Sequence, residues 1–93
     1  MLFEWDHNKS ITNHEKHGID FETAKNLWQD AHRVMIYAPH PIENSWILIG
    51  KHENRLWTAV YTLRDTAIRI ISVRRSRLKE KKLYEKKSIC QKQ

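Results

Sequence analysis

Arginines near the end of the chain are the residues with the clearest capacity for chemistry. Arg69 stands in the middle of the apolar run AIRIISVR, and Arg74 closes that run. A charge within an apolar run needs either a carboxylate partner or an open pocket. An arginine in a pocket can bind phosphate, whereas a pair between Arg69 and Asp65 or Glu53 would be structural. The sequence leaves both interpretations open.

A regular strand would keep these two arginines apart. Side chains alternate between the faces of a strand, so Arg69 and Arg74 project to opposite sides of an undistorted one. They reach a common site only if the strand twists or bulges near Ser72. Arg64, just before the turn RDT, belongs to the neighbouring strand. A bulge near Ser72 is therefore the structural condition for an arginine site.

The segment KHGIDF, residues 16–21, lies between two stretches with helical patterns. Gly18 is one of two glycines in the chain, and glycine ends helices because it adopts the left-handed conformation at no steric cost. Lys16 and His17 would then occupy the last turn, where positive charge meets the negative end of the helix dipole. This pattern is typical of a helix C-cap. A catalytic role for Lys16 and His17 requires in addition that they lie beside the arginines.

Other kinds of site have weaker support in the sequence. The HxxH pair His14 and His17 has no matching cysteine or carboxylate, so we expect no metal and no other cofactor. The lone Cys90 cannot form an internal disulfide. The remaining set of His, Lys and Arg suits metal-independent RNA cleavage. In that reaction a base takes the 2′-hydroxyl proton, cations stabilise the pentacoordinate phosphate, and an acid protonates the leaving 5′-oxygen.

The positive charge is concentrated in the C-terminal part of the chain. Residues 67–93 hold ten Lys/Arg against two Asp/Glu, whereas residues 1–66 hold seven against nine. Clustered cations favour a nucleic-acid partner, because binding to phosphates releases counterions. A solvated helix face and an acidic protein partner are the alternatives. We expect no membrane partner and a cytoplasmic location, since no apolar run is long enough to span a bilayer and no signal peptide is recognisable.

Hydrophobic periodicity predicts one α+β domain over residues 1–87 and a flexible tail over 88–93. The expected strands are LFEW, RVMIY, SWILIGKH, LWTAVYTL and AIRIISVR. The expected helices run from Asp6 to His17, over 21–31, and over the basic segment SRLKEKKLYEKK. These elements predict an antiparallel sheet of four to five strands in the order β-α-α-β-β-β-β-α. Two N-terminal helices should cover the face that bears Trp57, Ala59, Tyr61 and Leu63, and the C-terminal helix should be marginal by itself.

Taken together, the segments resemble the BrnT family of bacterial type II toxins. The resemblance runs from Phe3 to Glu85 through FEWDHNKSITNHEKHGIDFETA, WILIG and LWTAVYTLRDTAIRIISVRRSRLKEKKLYE. It implies a small ribonuclease of RelE-like architecture that inhibits translation by cutting RNA. It also implies a BrnA-type antitoxin, which blocks the toxin and supplies the binding to operator DNA.

The resemblance further implies a set of catalytic residues. The KHG motif supplies two, the arginine after YT one, and the motif IRIIS-x-R two: Lys16, His17, Arg64, Arg69 and Arg74. Arg69 and Arg74 would stabilise the transition state, Lys16 would bind phosphate, and His17 would transfer protons. Family members commonly carry an arginine where this chain has Ser45. Loss of one stabilising group of this kind costs about 10²-fold or more in rate.

An alternative function is a non-catalytic or attenuated toxin homologue that serves as a protein- or nucleic-acid-binding module. Arg69 distinguishes the two functions. A catalytic arginine should be open to solvent, whereas a structural arginine should be paired with a carboxylate.

Overall fold

The computed structural model describes residues 2–39 and 44–91, with side chains as far as residue 87. The strands are β1 (Leu2–Glu4), β2 (Val34–Ala38), β3 (Ser45–His52), β4 (Arg55–Arg64) and β5 (Ala67–Arg75). The helices are α1 (His7–His17), α2 (Phe21–Ala24) and α3 (Leu78–Gln91), and a 3₁₀ helix (Lys25–Gln29) follows α2. The predicted α+β class is confirmed. The order along the chain differs from the prediction by one additional element, the 3₁₀ helix between α2 and β2.

The five strands form one mixed sheet in the order β1-β5-β4-β3-β2. Strands β2 to β5 form a meander in which each strand is antiparallel to the next. The short polar turns predict this arrangement for β3, β4 and β5. The expectation of an all-antiparallel sheet is wrong, because β1 pairs with β5 in parallel. A three-residue edge strand separated from its neighbour by most of the chain carries no local signal for its direction.

The main core lies on one face of the sheet, here called the α2 face. Phe21, Ala24 and Leu27 from α2 and the 3₁₀ helix are fully buried there. The sheet contributes buried residues that alternate along its strands, among them Leu48, Trp57, Ala59, Tyr61, Ile70 and Val73. Trp57, Ala59 and Tyr61 therefore face the helices as predicted. Leu63 does not complete the set, since it is 58% exposed near the end of β4.

The second predicted helix, 21–31, is shorter than expected and changes type. Its N-cap is Asp20, whose carboxylate accepts a hydrogen bond from the Thr23 backbone at 2.8 Å. The α-helical part ends at Ala24, and the tighter 3₁₀ turn brings Leu27 against β3. A Cβ atom at Gly50 would lie 3.1 Å from the Leu27 carbonyl oxygen. The second glycine of the chain thus permits this close approach of helix and strand.

Helix α3 packs on the opposite face, here called the α3 face, mainly through one aromatic residue. Tyr84 is buried against Val34 and Ile49, and its hydroxyl donates to Asp30 Oδ2 at 2.7 Å. Burial and this hydrogen bond together raise the pKa of the Tyr84 phenol. Leu83, the other predicted anchor, is 41% exposed. A helix held by so few apolar contacts agrees with the prediction that it is marginal by itself.

The predicted domain boundary at residue 87 stays a prediction. Of the expected tail, 88–93, the structure describes only the backbone of residues 88–91. Helix α3 continues as far as Gln91. No helix within 2–39 or 44–91 combines the length and the apolar character that a bilayer crossing requires.

Candidate functional site

A β-bulge in β5 brings Arg69 and Arg74 to the same face of the sheet. The register of β5 against β4 shifts by one residue at Ile71. As a result, Arg69 lies opposite Thr62 and Arg74 lies opposite Thr58, two residues that share the α3 face of β4. The bulge that an arginine site requires is therefore present.

Arg69 is paired with a carboxylate of the N-terminal strand. Its Nη1 donates to Glu4 Oε2 at 2.9 Å, and the two side chains are 30% and 42% exposed. The expectation that Asp65 or Glu53 pairs with Arg69 is wrong, because parallel pairing of β1 places Glu4 directly opposite Arg69. Arg69 is thus paired as expected for a structural arginine, although its ion pair with Glu4 remains accessible to solvent.

Arg74 forms a bidentate ion pair with Glu80 in the first turn of α3. Nη1 and Nη2 donate to the two carboxylate oxygens at 2.8 and 2.7 Å. Glu80 also accepts from the Arg77 backbone N–H at 2.7 Å, as a glutamate at the third position of a helix often does. The sequence therefore held a signal for this glutamate, namely its spacing from the helix start. The pair ties the end of β5 to α3.

The pairing with Arg74 perturbs the titration of Glu80. Hydrogen bonds from the Arg74 guanidinium lower the pKa of Glu80 from 4.5 to about 2, against the opposing effect of burial. The same hydrogen bonds raise the pKa of Arg74. Both shifts favour the charged forms at neutral pH.

We expect this ion pair to be lost in acid, with a consequence for stability. A carboxyl group whose pKa is lowered on folding stabilises the fold above its unfolded pKa and loses that contribution as the pH falls. The unfolding free energy should therefore drop more steeply between about pH 4.5 and pH 2 in the wild type than in Glu80→Gln. Urea unfolding over this range measures both slopes. Parallel slopes would show that Glu80 is not the group that titrates.

The KHG motif ends α1 as predicted. Gly18 has φ 80°, and its N–H donates to the His14 carbonyl at 2.9 Å. Asp6 accepts from the backbone at the other end of the helix, which confirms it as the N-cap. Lys16 and His17 lie in the last turn and are exposed. In the described chain, His, Cys, Asp and Glu side chains form no group of three that could hold a metal ion.

Lys16 and His17 line a pocket of about 320 Å³ beside the bulge of β5, here called the bulge pocket. Ile71 and Ser72 form its wall on the strand side. Neither paired arginine of β5 lines this pocket. Ser72 lies two residues from Arg74, so the bulge pocket opens at the sheet edge next to the α3 face, which bears Arg69 and Arg74.

Asn13 positions α1 against the sheet, and sequence reasoning missed it. Its amide donates to the Val73 and Ile19 carbonyls at 2.9 and 2.8 Å, and its Oδ1 accepts from the Val73 N–H at 3.1 Å. The side chain thereby takes the place of a neighbouring strand along the edge of β5, beyond the end of β1. No periodic pattern could have identified it, because Asn13 lies in a helix made almost entirely of polar residues.

Two further positions share the face of the arginines. Arg64 ends β4 opposite Ala67, two residues from Thr62, and its side chain is exposed. Ser45 begins β3, and alternation with Ile47 and Ile49 places it on the α3 face as well. An arginine at position 45 would therefore project to the same side as Arg64.

The five predicted site residues form two neighbouring groups. Arg64, Arg69 and Arg74 lie on the α3 face, whereas Lys16 and His17 lie in the bulge pocket at the edge of β5. The pockets in the described part of the chain bring no member of the first group together with the second. The arrangement can present several cations to a chain of phosphates.

Cations grouped in this way on a small α+β domain can interact with a polyanion. The sequence model of the ribonuclease toxin BrnT, of type II toxin-antitoxin systems, matches residues 5–80. The chain belongs to this BrnT family. Comparison with curated proteins gave no match.

Proposed function

We propose that this chain is a metal-independent endoribonuclease that inhibits translation by cutting RNA. The observation that carries the proposal is the bulge of β5. It turns Arg69 and Arg74 to one face and opens, at Ile71 and Ser72, onto the pocket that holds Lys16 and His17. Family membership supports ribonuclease chemistry, and the arginines of the α3 face supply positive charge that can bind a phosphate.

The proposed reaction uses these side chains in three roles. His17 accepts the 2′-hydroxyl proton, so that the 2′-oxygen attacks phosphorus while the bond to the 5′-oxygen breaks and that oxygen takes a proton from solvent water. Arg69 and Arg74 stabilise the pentacoordinate phosphate, whose negative charge increases in the transition state. Lys16 and Arg64 bind neighbouring phosphates.

The ion pairs of the arginines fit this proposal as orienting contacts. The carboxylates of Glu4 and Glu80 fix the two guanidinium groups before substrate arrives, which reduces the reorganisation needed in the transition state. The pair between Arg69 and Glu4 is partly exposed, so a phosphate oxygen can reach the remaining N–H groups of Arg69. Arg74 can donate to a phosphate from its Nε and from the guanidinium N–H groups that do not point at Glu80.

The partners follow from the family in the same way. A BrnA-type antitoxin binds and blocks the toxin, and operator DNA is contacted only through that antitoxin. The pair acts in the cytoplasm, where its RNA substrates are.

A second candidate function is a non-catalytic or attenuated homologue that binds protein or nucleic acid. One observation favours it: both arginines of β5 are paired with carboxylates. The family resemblance also implies an arginine at the position of Ser45. The two functions make opposite predictions for RNA cleavage.

Cleavage of a defined RNA by the purified protein in EDTA tests the proposal. We expect cleavage without metal, its loss in Arg69→Ala, and a rate increase of about tenfold or more in Ser45→Arg, since one added cation stabilises the same charge. Ser45→Gln is the matched control, because it adds length without charge. An inactive wild type rescued by Ser45→Arg would identify an attenuated toxin, and inactivity of every variant would contradict the ribonuclease function.

A further inference from the structure

A second cationic cleft lies outside the proposed site, between the end of α1 and the β3–β4 hairpin. Its volume is about 450 Å³, and we call it the hairpin cleft. The side chains that define its chemistry are His17, His52, Glu53, Arg55, Trp57 and Arg75. Apart from His17, none of them belongs to the predicted catalytic set.

The hairpin turn places two of these side chains next to each other. Glu53 and Asn54 form a two-residue turn with φ 52° and 63°, the geometry of a tight β-hairpin. His52 and Arg55 are therefore directly opposite each other at the ends of their strands. Both share the α2 face of the sheet with the core residue Trp57.

Arg75 covers Trp57 from the neighbouring strand. The two residues are paired in the register, and the guanidinium carbon lies 5.5 Å from the centre of the indole ring. Stacking of this kind holds an arginine in place while its N–H groups stay available. Arg75 itself remains exposed, so these donors can meet a ligand.

The indole nitrogen of Trp57 is a buried donor beneath the surface of this cleft. Trp57 is 7% exposed, and its Nε1–H has no acceptor among the described residues. Buried donors are nearly always paired, with protein, water or a bound group. This N–H is itself inaccessible to solvent, so it adds positive potential to the cleft but makes no direct hydrogen bond to a ligand in this conformation.

The charge of the hairpin cleft selects an anion. Arg55 and Arg75 are both exposed cations, and Glu53 is the one carboxylate among the described residues of its lining. That carboxylate is 85% exposed and lies 3.9 Å from His52 Nε2, at the rim. A phosphodiester offers the negative charge and the acceptor oxygens that both arginines require.

His17 connects this cleft with the proposed site. It lines both the bulge pocket, which also holds Lys9 and Lys16, and the hairpin cleft. We propose that the hairpin cleft binds two successive backbone phosphates of the RNA beside the cleaved bond, one at Arg55 and one at Arg75. The substrate then runs from the α3 face past His17 to these two arginines. The inference rests on the proposed function for the identity of the ligand.

Binding of an uncleavable RNA tests the cleft without relying on catalysis. The probe is a 2′-O-methyl oligonucleotide of about 12 nucleotides, a length within the usual range of single-strand sites. We expect Arg55→Gln/Arg75→Gln to bind it about tenfold more weakly, with a salt dependence shallower by about 1.4, because two phosphate contacts are lost. The control is Lys82→Gln/Lys86→Gln, which removes the same charge from exposed positions of α3.

The double variant could weaken the fold, since Arg75 also stacks on Trp57. The single variant Arg55→Gln leaves that contact in place and controls for this effect. It should weaken binding about threefold and reduce the salt slope by about 0.7. Equal affinity and slope in the wild type and both cleft variants would overturn the inference. So would variants that bind RNA normally but lose affinity for the antitoxin, because the cleft would then serve a protein partner.

Cleavage of a dinucleoside monophosphate separates this inference from the proposed function. Such a substrate is too short to occupy both sites, so the cleft variants should cleave it at the wild-type rate. If the wild type cleaves neither this substrate nor the defined RNA, the ribonuclease function fails while the binding measurement still decides the cleft.

Discussion

Arg74→Ala should abolish growth arrest by this protein and reduce RNA cleavage by about 10²- to 10³-fold, the range observed when one donor to a transition-state oxyanion is removed. The guanidinium of Arg74 is held by two hydrogen bonds to Glu80 on the face that also bears Arg69. Because it is oriented before substrate binds, its loss should lower the rate of the chemical step more than the affinity for RNA. Single-turnover cleavage and RNA binding, measured side by side, distinguish these effects.

Glu80→Gln is the matched control for this variant. It keeps the arginine but loosens its orientation, so if Arg74 is catalytic the cleavage rate should fall much less than in Arg74→Ala. If Arg74 only anchors α3, the two substitutions should lower the unfolding free energy alike and affect cleavage alike. Equal losses of activity and stability in both variants would therefore contradict a catalytic role for Arg74.

The largest expected effect on stability is that of Asn13→Ala. The substitution removes three hydrogen bonds and leaves the buried N–H and C=O groups of Val73 without their partner. We expect the unfolding free energy to fall by about 3 kcal/mol or more. Three buried backbone groups, the Val73 N–H and C=O and the Ile19 C=O, lose their partner, and each costs about 1 to 3 kcal/mol. Urea unfolding of the wild type and the variant measures this difference.

Asn26→Ala provides the comparison on the surface. The Asn26 amide donates a single hydrogen bond to the Thr23 carbonyl at an exposed position. Its loss should change the unfolding free energy by no more than about 0.5 kcal/mol. Similar effects in the two alanine variants would show that Asn13 does not join α1 to the edge of β5.

Local features of the fold could be predicted because they depend on neighbouring residues. Asp6 and Gly18 bound α1 through cap hydrogen bonds that span only a few positions. The three C-terminal strands and their short turns follow from alternation and turn composition over 45–75. The end of the second helix could not be predicted in this way, because the close packing of Leu27 on Gly50 favours a 3₁₀ turn.

The candidate site was predictable in composition but not in arrangement. The run IRIISVR identified Arg69 and Arg74 as unusual charges and identified a bulge as the condition for their common face. Their partners Glu4 and Glu80 could not be chosen from the sequence. Glu4 meets Arg69 only through the parallel pairing of β1, across 65 positions in the chain. The hairpin cleft likewise combines residues from α1, β3, β4 and β5, which no linear spacing relates.

The sequence by itself determined the family, the α+β class, the helix caps and the set of cations that can act on phosphate. Each of these depends on short motifs or on residues close together in the chain. Only the tertiary structure decided which face carries Arg69 and Arg74, which carboxylates hold them, and that Lys16 and His17 lie at the strand edge instead of on that face. The physical reason is that strand register and pairing are set by packing of the whole sheet, and a shift of one residue moves a side chain to the other face.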